Sequence, residues 1–261
     1  MKKKLYFAVG AILLVLAVVC AGISWKSWSK ESTAGETYEE LRETVRATPS
    51  PTGEEQETKP TAEPEKTVEI PIDFQTLQAQ NSDIYAWIEI PGTAIDYPVV
   101  QRDGDNSYYL SHNTDGEEDA AGAIFTEDYN SRTFQDPNTV LYGHNMKNGS
   151  MFQNLHSYAD RSFFDEHREV IVYMPDAVLH YKIFAAYLYD SRHLLQSFDF
   201  SDPTVMGNYL ESIQSLRSMN ANIDTEMELD STDKIITLST CYKGQNDKRY
   251  LVQAVLESEE R

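Results

Sequence analysis

DKIITLSTC, Asp233–Cys241, is followed eight residues after its cysteine by Arg249, which opens a second apolar run, RYLVQAVLE, Arg249–Glu257. Two apolar runs divided by a short polar link read as neighbouring strands. The first ends on a cysteine and the second begins on an arginine, so a thiol and a guanidinium meet near one turn. A thiolate, not a thiol, is the nucleophile, and a free cysteine titrates near about 8.5. Near neutral pH it needs a partner that exchanges its proton. His144 is the candidate, inside Leu141-Tyr142-Gly143-His144-Asn145. The glycine before it and the Asn-Met-Lys-Asn-Gly after it mark a strand giving way to a loop, and loops on rigid scaffolds are where reactive residues concentrate.

The three side chains divide the work of acyl transfer by their chemistry. Arg249 stays protonated and is no base; its place is at the carbonyl oxygen, stabilising the oxyanion that develops during attack. Protonation of the leaving group then falls to His144. Each residue taken alone has a plainer reading. A cysteine at a strand end is more often a small buried hydrophobe, a histidine a packing or surface residue, an arginine a solvated charge. His112, His156, His167, His180 and His193 have no evident partners in the sequence and read as structural or surface. No pair of His, Cys or acidic residues has metal-ligand spacing, so no metal and no other cofactor is expected.

Outward from this stretch, strand signals dominate. IYAWIEI, AIDYPVV, GAIFTE, NTVLYGH, EVIVYMP and VLHYKIFAAYLY are short apolar runs divided by turn residues such as Pro91-Gly92. Many short strands with few helices argue an all-β barrel or sandwich. Asp73–Gln80 has helical spacing, with Phe74 and Leu77 on one face and Asp73 as its cap. Ser201-Asp202-Pro203 is a second helix start, followed by Val205, Tyr209, Ile213 and Leu216 at helical intervals. That helix precedes the cysteine strand and is placed to wall a groove.

The chain has 261 residues, two cysteines and a formal net charge of −20. So acidic a chain is a poor partner for nucleic acid. Met1-Lys2-Lys3-Lys4 precedes an unbroken apolar stretch from Leu5 to about Ile23, about the 20 residues that a membrane helix needs. Lysines before it and acidic residues after it predict a single-pass anchor over residues 1–28 with its N-terminus cytoplasmic and the remainder extracellular. Ala17-Val18-Val19 is a poor cleavage site, which favours an uncleaved anchor over a signal peptide. Cys20 then lies inside the span, and Trp25 and Trp28 form an interfacial belt. Residues 29–67, with ATPSPTGEEQETKPTAEPEK at their end, read as a disordered acidic tether, with a short helix around Tyr38–Val45 compatible with the pattern. The folded domain is expected over 68–261.

Thr237-Leu238-Ser239-Thr240-Cys241 resembles the TLxTC signature of sortases, the membrane-anchored cysteine transpeptidases of Gram-positive bacteria. The order histidine, then cysteine about a hundred residues later, then arginine on the next strand is also theirs. Asp96–Phe125 and Tyr142–Phe152 (YGHNMKNGSMF) resemble class B members in particular. The resemblance spans essentially all of Val68–Glu257. It implies a closed β-barrel of about eight strands with an N-terminal helix, a helical insertion around Asp202–Ser218, and a triad of His144, Cys241 and Arg249. It implies cleavage of a C-terminal sorting signal after its threonine, a thioester on Cys241, and transfer to an amine of the peptidoglycan precursor, or to a lysine of a pilin. Asn106, Tyr142 and Ser239 match substrate-contacting positions. Two departures stand out: Tyr242 occupies a position where some class B members carry an acid, and Lys248 adjoins Arg249, so a one-residue slip would exchange their faces. Two rivals remain on the sequence alone: a peptidase that hydrolyses its acyl-enzyme, and an adhesin that keeps the barrel without the chemistry.

Overall fold

The computed structural model describes residues 38–46, 68–242 and 244–261. Among them nine strands form one sheet: β1 (Ile84–Glu89), β2 (Asp96–Val100), β3 (Ile124–Thr126), β4 (Asn138–Tyr142), β5 (Glu169–Met174), β6 (Ala177–Asp190), β7 (Asn222–Ile223), β8 (Ile235–Tyr242) and β9 (Gln245–Glu260). The order is β5-β1-β2-β3-β4-β8-β9-β6, and β6 pairs back to β5, which closes an eight-stranded barrel; β7 adds only two residues beside β6. Closure removes free sheet edges. The pairs β2–β3 and β4–β8 are parallel, the rest antiparallel. The all-β expectation resolves to a barrel, and each of the strand runs read from the sequence forms a strand.

The burial of β8 shows how the barrel is layered. From Ile235 to Thr240 every residue is buried, a pattern that needs cover on both faces. Ile236 and Leu238 point into the barrel core with Val252, Ala254, Leu141 and Ile183. Ile235 faces outward into a second cluster with Leu251, Phe184, Met206, Tyr209, Leu210 and Ile213. The last four belong to helix α5 (Pro203–Gln214), which Asp202 caps by accepting the Thr204 N–H at 2.8 Å. A buried amide beneath it fixes the helix to the sheet. Gln253 accepts from the Tyr187 hydroxyl at 3.1 Å and donates to the Tyr209 hydroxyl and Thr237 Oγ1, both at 2.8 Å.

Shorter helices complete the fold: α1 (38–45), α2 (Phe74–Gln80), α3 (Arg161–Glu166) and α4 (Leu194–Ser197), with 3₁₀ segments at Tyr108–Leu110 and Phe152–Ala159. Helix α2 starts on the Asp73 cap as its spacing predicts. Helix α1 falls in the stretch assigned above to the tether, yet Tyr38 and Val45 are buried, the Tyr38 hydroxyl donates to Gly122 O at 2.7 Å, and Arg46 pairs with Glu89 and Asp96. The rest of the expected tether and the expected anchor lie outside the described residues. The single-pass membrane location is corrected: among the described residues no helix is long and apolar enough to cross a membrane.

Candidate active site

The parallel pairing of β4 with β8 puts the histidine and the cysteine at one height. Tyr142 pairs with Ser239, and Gly143 N donates to Ser239 O at 3.1 Å. Cys241 follows Ser239 by two positions within β8 and shares its side, while His144 follows just past the end of β4 and lines the same groove. Thr240 Oγ1 donates to Gly143 O at 2.8 Å and keeps the two segments in step. A side chain at Gly143 would find no room: a Cβ there would lie 2.5 Å from Ile124 Cδ1 and 2.7 Å from the Phe152 ring. The glycine lets the chain pass over the core and release His144 into the loop.

Across β8, Cys241 pairs with Arg249 on β9. Directly opposed residues share a face, so thiol and guanidinium stand on the same side, the outer face of the barrel. Lys248 pairs with Asp190 and lies outside the groove lining, so the register favours the arginine. His144, Cys241 and Arg249 line one groove, together with Asn106, Tyr142 and Ser239. The structure thus brings all six expected residues together.

Their individual settings differ. Cys241 is a free, exposed thiol. His144 Nε2 lies 2.7 Å from the carbonyl oxygen of Leu110. A carbonyl only accepts, so Nε2 carries the proton and Nδ1 is left to exchange one. Tyr142 stacks on Phe125 with ring centroids 5.4 Å apart. Burial first, then the Glu127 carboxylate, pushes its phenol far above the ordinary tyrosine range, while the Arg249 charge pulls it back. Tyr142 therefore keeps its proton, and it shares the groove lining with Glu127 and Arg249. Asn106 is engaged at both ends, donating to Asp128 Oδ1 at 2.7 Å and accepting from Asp128 N at 2.8 Å. It retains one N–H and one lone pair for any further contact.

The far wall is not helix α5, as its position in the sequence suggested, but the segment that precedes and opens α4: Ser191, Arg192, His193 and Leu194. Its anchor is His193, whose Nε2 lies 2.5 Å from Glu127 Oε2 and whose Nδ1 accepts the Gln196 N–H at 3.3 Å. His193 read as a surface or structural residue in the sequence; it is a groove residue with a carboxylate partner. His156 also has a role near the site, donating to the Cys241 carbonyl at 3.2 Å. His112 and His167 stack on Tyr108 and Phe163, and His180 faces Glu169, each away from the groove lining. Among the described residues no cluster of His, Cys, Asp or Glu is placed to hold a metal ion.

A closed barrel that presents a thiol, an imidazole and a guanidinium along one external groove is the framework of a thiol-dependent acyl-transfer enzyme. The sortase domain family matches residues 88–257. The sortase B of Listeria monocytogenes is 35% identical over 190 residues, which cover 72% of this chain and 75% of that protein. Among solved structures, sortase B from B. anthracis is 30% identical with a TM-score of 0.71, covering 88% of this chain and 98% of that one. A Staphylococcus aureus sortase B–substrate complex is 29% identical with a TM-score of 0.62, covering 70% and 83%. The chain belongs to the sortase family, its structural neighbours are class B sortases, and it is a cysteine transpeptidase.

Proposed function

We propose that this enzyme cleaves a C-terminal sorting signal after its threonine and transfers the new carboxyl end to an amine of the peptidoglycan precursor, through a thioester on Cys241. The observation that carries this reading is the shared register: Cys241 faces Arg249 across β8–β9 and keeps step with His144 across β4–β8.

In the first half-reaction Cys241 Sγ, as thiolate, attacks the threonine carbonyl carbon. The oxygen takes up the negative charge, and Arg249 stabilises it where it develops. Collapse breaks the C–N bond, and the departing amine takes its proton from the imidazolium of His144. In the second half-reaction the acceptor amine attacks the thioester, the C–S bond breaks, and His144 takes the proton released by the new amide nitrogen. Two easier steps replace one difficult amide exchange. Tyr142, Ser239 and Asn106 contact the signal in the groove. The S. aureus relative has been solved with a substrate, which supports a peptide as occupant of the corresponding surface here.

The test is intact-mass spectrometry of the full-length chain with a panel of sorting-signal peptides, with and without an amine. The expected result is a mass gain on Cys241 that the amine converts to ligated peptide. An adduct released only to water would favour a hydrolytic peptidase. A product formed only with a lysine side chain as acceptor would favour pilin polymerisation. Absence of any adduct together with unreactive Cys241 would overturn the thioester reading.

A further inference from the structure

We infer that Asn145 and His156 form a clamp on the backbone of Cys241 and act as positioning residues for its thiol. The inference rests on the reading of Cys241 as the nucleophile.

Ser239 O accepts the Gly143 N–H from the β4 side, and Cys241 O, two residues further along β8, faces the same side. Strand β4 has ended at Tyr142, so no ladder partner continues there. A carbonyl past the end of its neighbouring strand needs donors from elsewhere. Two side chains supply them: Asn145 Nδ2 donates to Cys241 O at 3.1 Å, and His156 Nε2 donates to the same oxygen at 3.2 Å. Two side-chain donors on one backbone carbonyl hold its peptide plane, and with it the Cα–Cβ direction that aims the sulfur.

Both donors come from the segment that carries His144. Asn145 is its direct neighbour and bridges back to Met151; Phe152 N donates to His144 O at 2.9 Å, and Phe152 opens the 3₁₀ segment that holds His156. Met151 turns that segment with φ of 58°, a conformation L-residues rarely adopt, and its N–H is held by the Tyr97 hydroxyl at 2.9 Å. The His156 ring is fixed in turn by Tyr242 and Tyr250, with centroids 5.6 and 5.2 Å away. The imidazole of His144 and the backbone of Cys241 therefore sit in one frame. Protonation of His156 leaves Nε2–H in place, so the clamp does not open as pH falls.

The experiment uses the full-length chain, a sorting-signal peptide and an amine, with steady-state kinetics and melting temperature measured for each variant. Asn145→Ala removes one donor. His156→Phe removes the other while keeping a ring between the two tyrosines, and His156→Gln keeps an N–H. A misplacement of about 1 Å costs up to about a hundredfold in rate. We expect about a tenfold fall in kcat for Asn145→Ala and for His156→Phe, about a hundredfold for the pair, KM within about twofold, and recovery of most of the His156 loss in the Gln variant. The clamp is overturned if the double variant keeps its kcat, if Gln is no better than Phe, or if KM rather than kcat moves. Cys241→Ala runs beside them: turnover that survives it would sink the nucleophile reading instead, whatever the clamp variants do.

Discussion

Replacing Cys241 with alanine takes one sulfur atom from an exposed strand end, so it should abolish turnover and leave the unfolding midpoint within error of the parent. Arg249→Lys should lose most of the rate, because a point charge does not reproduce the planar fork of donors at the oxyanion; a kcat close to the parent's would remove Arg249 from that role. Gly143→Ala probes the support beneath His144. Its Cβ meets Ile124 and Phe152, both fully buried. Overpacking of this kind costs about 1–3 kcal/mol, so urea unfolding should register the loss and kcat should fall with it. The candidates His144, Cys241 and Arg249 were legible only in combination: each alone has a plainer reading, and their order together with the resemblance of Thr237–Cys241 to the TLxTC signature singled them out. Glu127, His193, Asn145 and His156 were not. The partners of the first pair are 66 residues apart, and the carbonyl that Asn145 and His156 hold is 96 and 85 residues away. Nothing in local pattern reports such meetings.

Among the elements, strand β8 and helix α5 depend on each other, since the outward residues of one are buried by the other. Gln253→Leu tests that junction. It leaves the Tyr187 and Tyr209 hydroxyls and Thr237 Oγ1 each without one buried partner. An unsatisfied buried group costs about 1–3 kcal/mol, so chemical denaturation should show a loss in that range or above it, with Asn138 still available to Thr237. Strands were read well where apolar runs were bounded by turn residues, and α5 because Asp202-Pro203 announces its start. The two-residue β7 and the 3₁₀ segments carry no periodicity long enough to detect. The end of β9 was missed for a different reason: it runs through charged residues to Glu260 that tertiary pairing with β6 extends and local propensity does not. Helix α1 forms where a short helix around Tyr38–Val45 was compatible with the pattern; what the pattern did not show is its docking on the domain, because an acidic surface face outweighs its two buried anchors, Tyr38 and Val45.

At the scale of the molecule, buried tyrosines set the alkaline limit of the fold. Burial raises Tyr209 from an ordinary value of 10.0 to about 12, and pushes Tyr187 up as well. The unfolded chain then gives up these protons first. Stability from Tyr209 is complete below about pH 10 and is lost as pH rises through about 12, and Tyr187 adds a loss in the same direction. Unfolding free energy measured across that window should fall, and Tyr209→Phe should flatten the fall; a profile level to pH 12 would contradict the burial assigned to these rings. The barrel's topology has a consequence of another kind. The histidine arrives early, on the segment after β4, but the thiol and the guanidinium come on β8 and β9, which emerge after the other strands, and the contact that joins the two parts spans 97 residues. Such long-range pairing forms only when distant segments have closed on one another. A chain still leaving the ribosome therefore holds an unaccompanied imidazole and no paired sulfur, and reactivity is withheld until the barrel closes.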